Sequence, residues 1–146
     1  MTVNQISVLV ENRTGAIAEI ISVLAGKKIN IYAVNMADTP NFGILRFIVN
    51  HPEEAKTLLE REGFLVSSCK VLAVGLKDIP GGLTKVTKVL NQNRISLEYM
   101  YAFISNSAEN SCVILNTADV EFTAQLLSDA GIPTYGNEIF EKAGLQ

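Results

Sequence analysis

Tryptophan is absent from this chain of 146 residues, histidine occurs once and cysteine twice. With His51 alone, sites that need several imidazoles, and Ser-His-Asp triads, have almost nothing to draw on. Cys69 and Cys112 lie far apart with no CxxC partner, each in an apolar, strand-like run. That setting favours buried free thiols over a disulfide or redox pair. Phosphate-binding signatures are missing too: Gly81-Gly82-Leu83-Thr84-Lys85 lacks the Walker order, and GxGxxG, HExxH and GxSxG do not occur. No nucleophile or acid–base pair stands out, so neither an enzyme, a cofactor nor a metal site is expected.

Charge is also sparse. Charged residues make up 18% of the chain, below the usual ~25%, while 48% is hydrophobic. That balance points to apolar surface hidden between subdomains or subunits. Twelve basic residues against fifteen acidic ones leave a net charge of −3. The basic residues are scattered, so nucleic acid is not an expected partner. No apolar run approaches the ~20 residues of a membrane span. The first residues, MTVNQISVLVEN, lack the charged start and long apolar run of a signal peptide. The expectation is a cytoplasmic protein without a membrane partner.

What is present is a pattern repeated twice. Glu11–Ile17 (ENRTGAI) aligns with Lys77–Leu83 (KDIPGGL), placing Gly15 on Gly81 at an offset of 66. The same shift sets Val23-Leu24 on Val89-Leu90 and Ile29-Asn30-Ile31 on Ile95-Ser96-Leu97. Later, Leu58-Leu59 matches Leu126-Leu127 and Gly63 matches Gly131, now at an offset of 68. The two extra residues fit most simply in the polar turn Ser105–Asn110, since a true repeat tolerates insertions in loops.

Each copy reads strand, helix, strand, strand, helix, strand. In the first, strands are expected at Gln5–Val10, Ile29–Ala37, Ile44–Val49 and Phe64–Val71. One helix follows Gly15 and stops at Gly26 with Lys27-Lys28; another starts at Pro52 with Glu53-Glu54 and ends at Gly63. In the second copy, Leu83–Leu90 and Phe122–Leu127 read as helices and Pro133–Phe140 as the last strand. The fold class is therefore α+β: two βαββαβ ferredoxin-like modules, each an antiparallel sheet with helices on one face. The domain boundaries fall at 1–69 and 70–146. A unit of about 70 residues is marginal alone, which favours pairing of modules within or between chains.

In both copies a glycine turn joins a strand to a helix N-terminus. Such an end offers unpartnered N–H groups and a positive dipole, which suit a carboxylate. Gly15, Gly81 and Gly82 let the backbone take positive φ and a ligand approach closely. Asn12 and Asp78 match and offer oxygens to an ammonium group; Asn30 and Ser96 match at the start of the second strand, expected close to the turn in this topology. Acceptors beside free amides suit a free amino acid. The same residues are also ordinary turn and cap formers, and on chemistry alone that plainer role is favoured.

Other residues carry weaker signals. Arg13 fits a ligand carboxylate, though a solvated turn residue is the simpler role. His51 reads as a cap or surface residue, and Glu53, Glu54, Glu60 and Glu62 as a solvated helix face. Tyr99, Tyr101 and Phe103 alternate on one strand face, where packing at a domain interface is favoured over a ligand pocket.

Asn12-Arg13-Thr14-Gly15 with Ile29-Asn30-Ile31, and Asp78-Ile79-Pro80-Gly81 with Ile95-Ser96-Leu97, resemble the ACT domain, a regulatory βαββαβ module. The likeness covers nearly the whole chain, taken twice. It implies a non-catalytic regulator that binds a small effector, an amino acid above all, at the first strand–helix turn and the module interface. Carried over, the ligand-binding positions are Asn12, Arg13, Thr14, Gly15, Ala16, Ile17 and Asn30, with Asp78, Ile79, Pro80, Gly81, Gly82, Leu83 and Ser96. Thr14 departs from the family's proline and Ser96 from its asparagine, so two unequal sites, or one empty site, stay open. Ser7–Ala16 also resembles the small regulatory subunit of acetolactate synthase, which leaves a second reading: a subunit that acts on a catalytic partner. That family follows its ACT module with a different second domain, whereas here the second half still reads as ACT. A homodimer is compatible with either.

Overall fold

The computed structural model describes residues 1–11, 13–77, 79–103 and 111–139. The elements run β1 (Val3–Glu11), α1 (Ala16–Gly26), β2 (Ile31–Asp38), β3 (Phe42–Val49), α2 (Pro52–Arg61) and β4 (Leu65–Leu76). They continue with α3 (Thr84–Gln92), β5 (Leu97–Ala102), β6 (Ser111–Thr117), α4 (Val120–Asp129) and β7 (Thr134–Tyr135). The chain forms two compact units, residues 4–69 and residues 1–3 with 70–146. Strand order is β2-β3-β1-β4 in the first unit and β5-β6-β4-β7 in the second, the same order at equivalent positions. This is the ferredoxin-like α+β architecture, built twice.

Alternation explains each sheet. In β1, Ile6, Val8 and Val10 point to one face, where they meet Leu45, Phe47 and Val49 of β3 and the buried stripe Ala16, Ile20 and Leu24 of α1. In the second unit Leu72 and Val74 join Val113, Leu115, Val86 and Leu90 in the equivalent core.

The repeat reaches down to hydrogen-bond register. Val8 pairs with Leu45 and Val74 with Val113; Ala33 pairs with Ile48 and Tyr99 with Asn116. Even the irregularity between Ile31 and Ala33 recurs between Leu97 and Tyr99. Because Met36 pairs with Leu45 and Ala102 with Val113, the two extra residues enter between Ala102 and Ser111. The turn at 105–110, where the sequence set them, lies outside the described residues.

The structure corrects several sequence expectations. The last strand of the first copy and the first strand of the second are one continuous strand, β4, of 12 residues. The final strand, expected over Pro133–Phe140, is β7 alone, because the chain turns at Gly136-Asn137 and is helical at Glu138-Ile139. Phe140 lies outside the described residues. α1 does end at Gly26, before Lys27-Lys28, as expected, but Gly26 is not the residue that turns left-handed. That residue is Lys28 (φ 59°), with the Ile29 amide donating to the Leu24 carbonyl, and Arg94 (φ 55°) repeats this after α3. Cys112 is buried as expected, but Cys69 is exposed on β4, and both are free thiols.

Candidate functional site

The two strand–helix turns are built alike. After β1, the Arg13 amide donates to Glu11 O at 2.8 Å, and Gly15 turns with φ 88° directly before α1. After β4, the Ile79 amide donates to Lys77 O at 2.9 Å and Gly81 turns with φ 85°. A side chain at either glycine would be strained. Gly82 is needed for a different reason from the one its neighbour suggests: its φ is not positive, but an added Cβ would collide with the Lys77 carbonyl oxygen.

Among the described residues no side chain caps α1 or α3. By contrast, Asp119 caps α4, accepting from the Phe122 amide at 3.1 Å. The leading amide of each helix donates within its turn, Ala16 to Arg13 O at 3.4 Å and Thr84 to Gly81 O at 3.0 Å, so the donor character that suits an anion rests with the later first-turn amides.

Each turn opens on a cleft. The first, about 280 Å³, lies between the end of β1, the start of α1 and the α2–β4 turn. The second, about 260 Å³, lies between the end of β4, the turn before α3 and the α4–β7 turn. The linings are repeat-related: Leu9 and Gly75, Glu11 and Lys77, Arg13 and Ile79, Ala16 and Gly82, Glu19 and Lys85, Gly63 and Gly131. Both volumes fall just below the range of drug-sized pockets, so each fits a small metabolite.

Of the sequence-derived site residues, the clefts gather Arg13 and Ala16 in the first unit and Ile79, Gly81 and Gly82 in the second. Thr14 and Gly15 are exposed in the first turn, and Pro80 and Leu83 in the second; Ile17 is half-buried against the core. Asn12 and Asp78 lie outside the described residues.

Asn30 and Ser96 are not beside the turns of their own units, contrary to the sequence expectation. Register explains why. Glu11, next to the turn, pairs with Phe42 at the start of β3, whereas Ile31 pairs with Val49 at its end. The length of β3 separates them, about 23 Å at ~3.3 Å per residue. Asn30 instead exchanges hydrogen bonds with Asn50, its amide donating to the Asn50 side chain at 3.0 Å. In the second unit, Leu76 pairs with Ser111 but Leu97 with Thr117, so Ser96 is displaced in the same way.

Arg13 is engaged. Its guanidinium donates to Glu19 at 2.8 Å with both side chains about half exposed, and that hydrogen bond holds its pKa above the ordinary value. His51 sits exposed at the N-cap position of α2 without a side-chain cap bond. Tyr99 and Tyr101 stack at 6.4 Å between centroids. Among the described residues no cluster of His, Cys, Asp or Glu has metal-binding geometry, and no helix is long and apolar enough to cross a membrane.

Sequence reasoning missed the far wall of each cleft, Gly63-Phe64-Leu65 and Gly131-Ile132-Pro133. The signal was present in the matched glycines. Both are left-handed (φ 90° and 75°) and end α2 and α4, with the next amide donating back to the carbonyl of Leu59 or Leu127.

Two ferredoxin-like units, each with a cleft at its first strand–helix turn, define the class: a tandem pair of ferredoxin-like modules. The chain belongs to the ACT domain pair family, whose model matches residues 1–133. It is 30% identical to protein BT0572 from Bacteroides thetaiotaomicron, whose crystal structure superposes with a TM-score of 0.86 over 92% of each chain. The regulatory subunit of aspartate kinase from Thermus thermophilus, in its ligand-free form, shares the fold at 16% identity, with a TM-score of 0.62 over 87% of this chain and 91% of that one. The aspartokinase alpha and beta subunits do likewise at 17% identity, with a TM-score of 0.59 over 87% and 90%. No curated protein sequence matches the chain.

Proposed function

We propose that the chain is a non-catalytic regulatory protein whose ACT modules, 1–69 and 70–146, bind a small effector, an amino acid, at one or both of the strand–helix turns. The carrying observation is the duplicated device of a left-handed glycine, a helix N-terminus that no described side chain caps, and an adjoining cleft. The first-turn amides receive the effector's carboxylate, and Asn12 and Asp78 supply oxygens for its ammonium group. Asn30 and Ser96 lie a strand length from the turns of their own units and reach a ligand there only from another module, such as one of a second copy. Binding stabilises one arrangement of modules and so alters an oligomer or a partner protein in the cytoplasm.

Thermal melting in the presence of each common amino acid tests this reading. An effector at 100 times its Kd adds about 2.7 kcal/mol, which raises Tm by roughly 5–15 °C for a chain of this size.

A second reading, a subunit acting on a catalytic partner in the manner of the acetolactate synthase small subunit, draws on one feature. Strand β2 ends the strand order and exposes Val34 and Met36, an apolar edge suited to protein association. A large enzyme subunit co-purifying in stoichiometric amount from the native host would favour it.

A further inference from the structure

Counted over their described residues, the two repeat-related clefts are opposite in charge; Asp78, between Lys77 and Ile79, lies outside those residues. The first is lined by Glu11, Glu19 and Glu62, with Arg13 as its one cation, and that guanidinium is already bonded to Glu19. At the matching positions the second carries Lys77 for Glu11, Lys85 for Glu19 and Ile79 for Arg13, with no carboxylate among its described lining residues. Among the described residues neither lysine has an ion-pair partner.

We propose that the second cleft is the chain's carboxylate-selective site, in which Lys77 and Lys85 hold the anionic end of a small ligand with an apolar tail, and that the first cleft rejects such ligands. This rests on the turns being the ligand sites and names which of the two takes the anion.

Three physical differences carry it. Two ammonium groups facing one cleft attract a carboxylate, while Glu11 and Glu62 repel it from the other. The internal Arg13–Glu19 pair engages the one cationic side chain among the described lining residues of the first cleft. The rest of the second cleft is apolar, with Leu76, Ile79, Val86, Ile132 and Pro133 around the lysines. A ligand charged at one end and aliphatic at the other complements that surface.

The experiment is an amide-resolved NMR titration of the full chain with 4-methylpentanoate, and in parallel with 3-methylbutan-1-amine, the same aliphatic tail bearing a cation. The carboxylate should shift amides at 75–86 and 131–133 saturably and leave 9–19 and 62–65 unmoved; the amine should not shift the second set. Lys85→Glu should weaken carboxylate binding by about tenfold or more, and Lys85→Arg should preserve it. The fold accommodates that glutamate, since Glu19 occupies the equivalent position of the first unit. Equal shifts at both turns, undiminished binding in Lys85→Glu, or no shift up to the solubility limit each overturn the assignment. A Tm rise with an amino acid alongside a failed titration sinks the charge assignment and leaves the proposed function standing. Carboxylate binding with no response to any amino acid does the reverse.

Discussion

Thr117 and Thr123 occupy the places that Val49 and Ala55 hold in the first unit, and both hydroxyls are buried. Thr123 donates its single hydrogen to Asp119 O at 2.8 Å, so Thr117 must donate to Thr123 across 2.9 Å. Thr123→Ala strands the Thr117 hydroxyl and should cost about 1–3 kcal/mol in urea unfolding. Adding Thr117→Val restores the apolar pair that the first unit uses and should recover most of that loss. The two cysteines separate as sharply. Exposed Cys69 should react with a thiol reagent in the native state, whereas Cys112 should react only on unfolding. Burial pushes the Cys112 thiol from its ordinary 9.0 up to about 11. The unfolded chain therefore loses that proton first. Its stabilising contribution is complete below pH 9 and is lost as pH rises through 11, on the order of 2 kcal/mol. Stability measured from pH 8 to 11 should fall less steeply in Cys112→Ala. Sequence separated neither pair, because which face of a strand is covered depends on partners far along the chain.

At the scale of elements, α1 and α3 end on Lys28 and Arg94 in the left-handed region, where a Cβ is unfavourable. Lys28→Gly and Arg94→Gly should each stabilise the fold by about 0.5–1 kcal/mol in chemical denaturation, the relief of strain exceeding the added freedom of the unfolded chain. The ends of α2 and α4 already carry glycine there and set the comparison. Element type and order were legible in the sequence because the apolar periods are clean and occur twice. Boundaries were less so where one stretch serves two copies. Phe64–Lys77 contains no Gly, Pro, Asn or Asp before Gly75, and Gly75 itself stays in the strand, its amide donating to Pro133 O at 3.0 Å. The merged strand β4 follows. The placement of Asn30 failed for a topological reason: sequence adjacency to a helix end does not say at which end of the sheet the next strand begins, and pairing register does.

For the whole molecule, family membership and duplicated architecture make the turns the places to look, and the clefts show what accompanies them. Half of the cleft walls was legible as matched motifs. The rest comes from the α2–β4 and α4–β7 turns, brought beside the first by antiparallel order. The charge reversal of Glu11 and Glu19 against Lys77 and Lys85 was visible in the aligned repeats, but it acquires meaning only once those positions share a cleft. Thermal melting of the whole chain against the common amino acids, repeated for Asn12→Ala and Asp78→Ala, addresses ligand binding at the turns most directly. At least one amino acid should raise Tm by roughly 5–15 °C near saturation, and one or both variants should abolish that rise. A Tm unmoved by every amino acid, or a rise untouched by both substitutions, would contradict amino-acid binding at these turns.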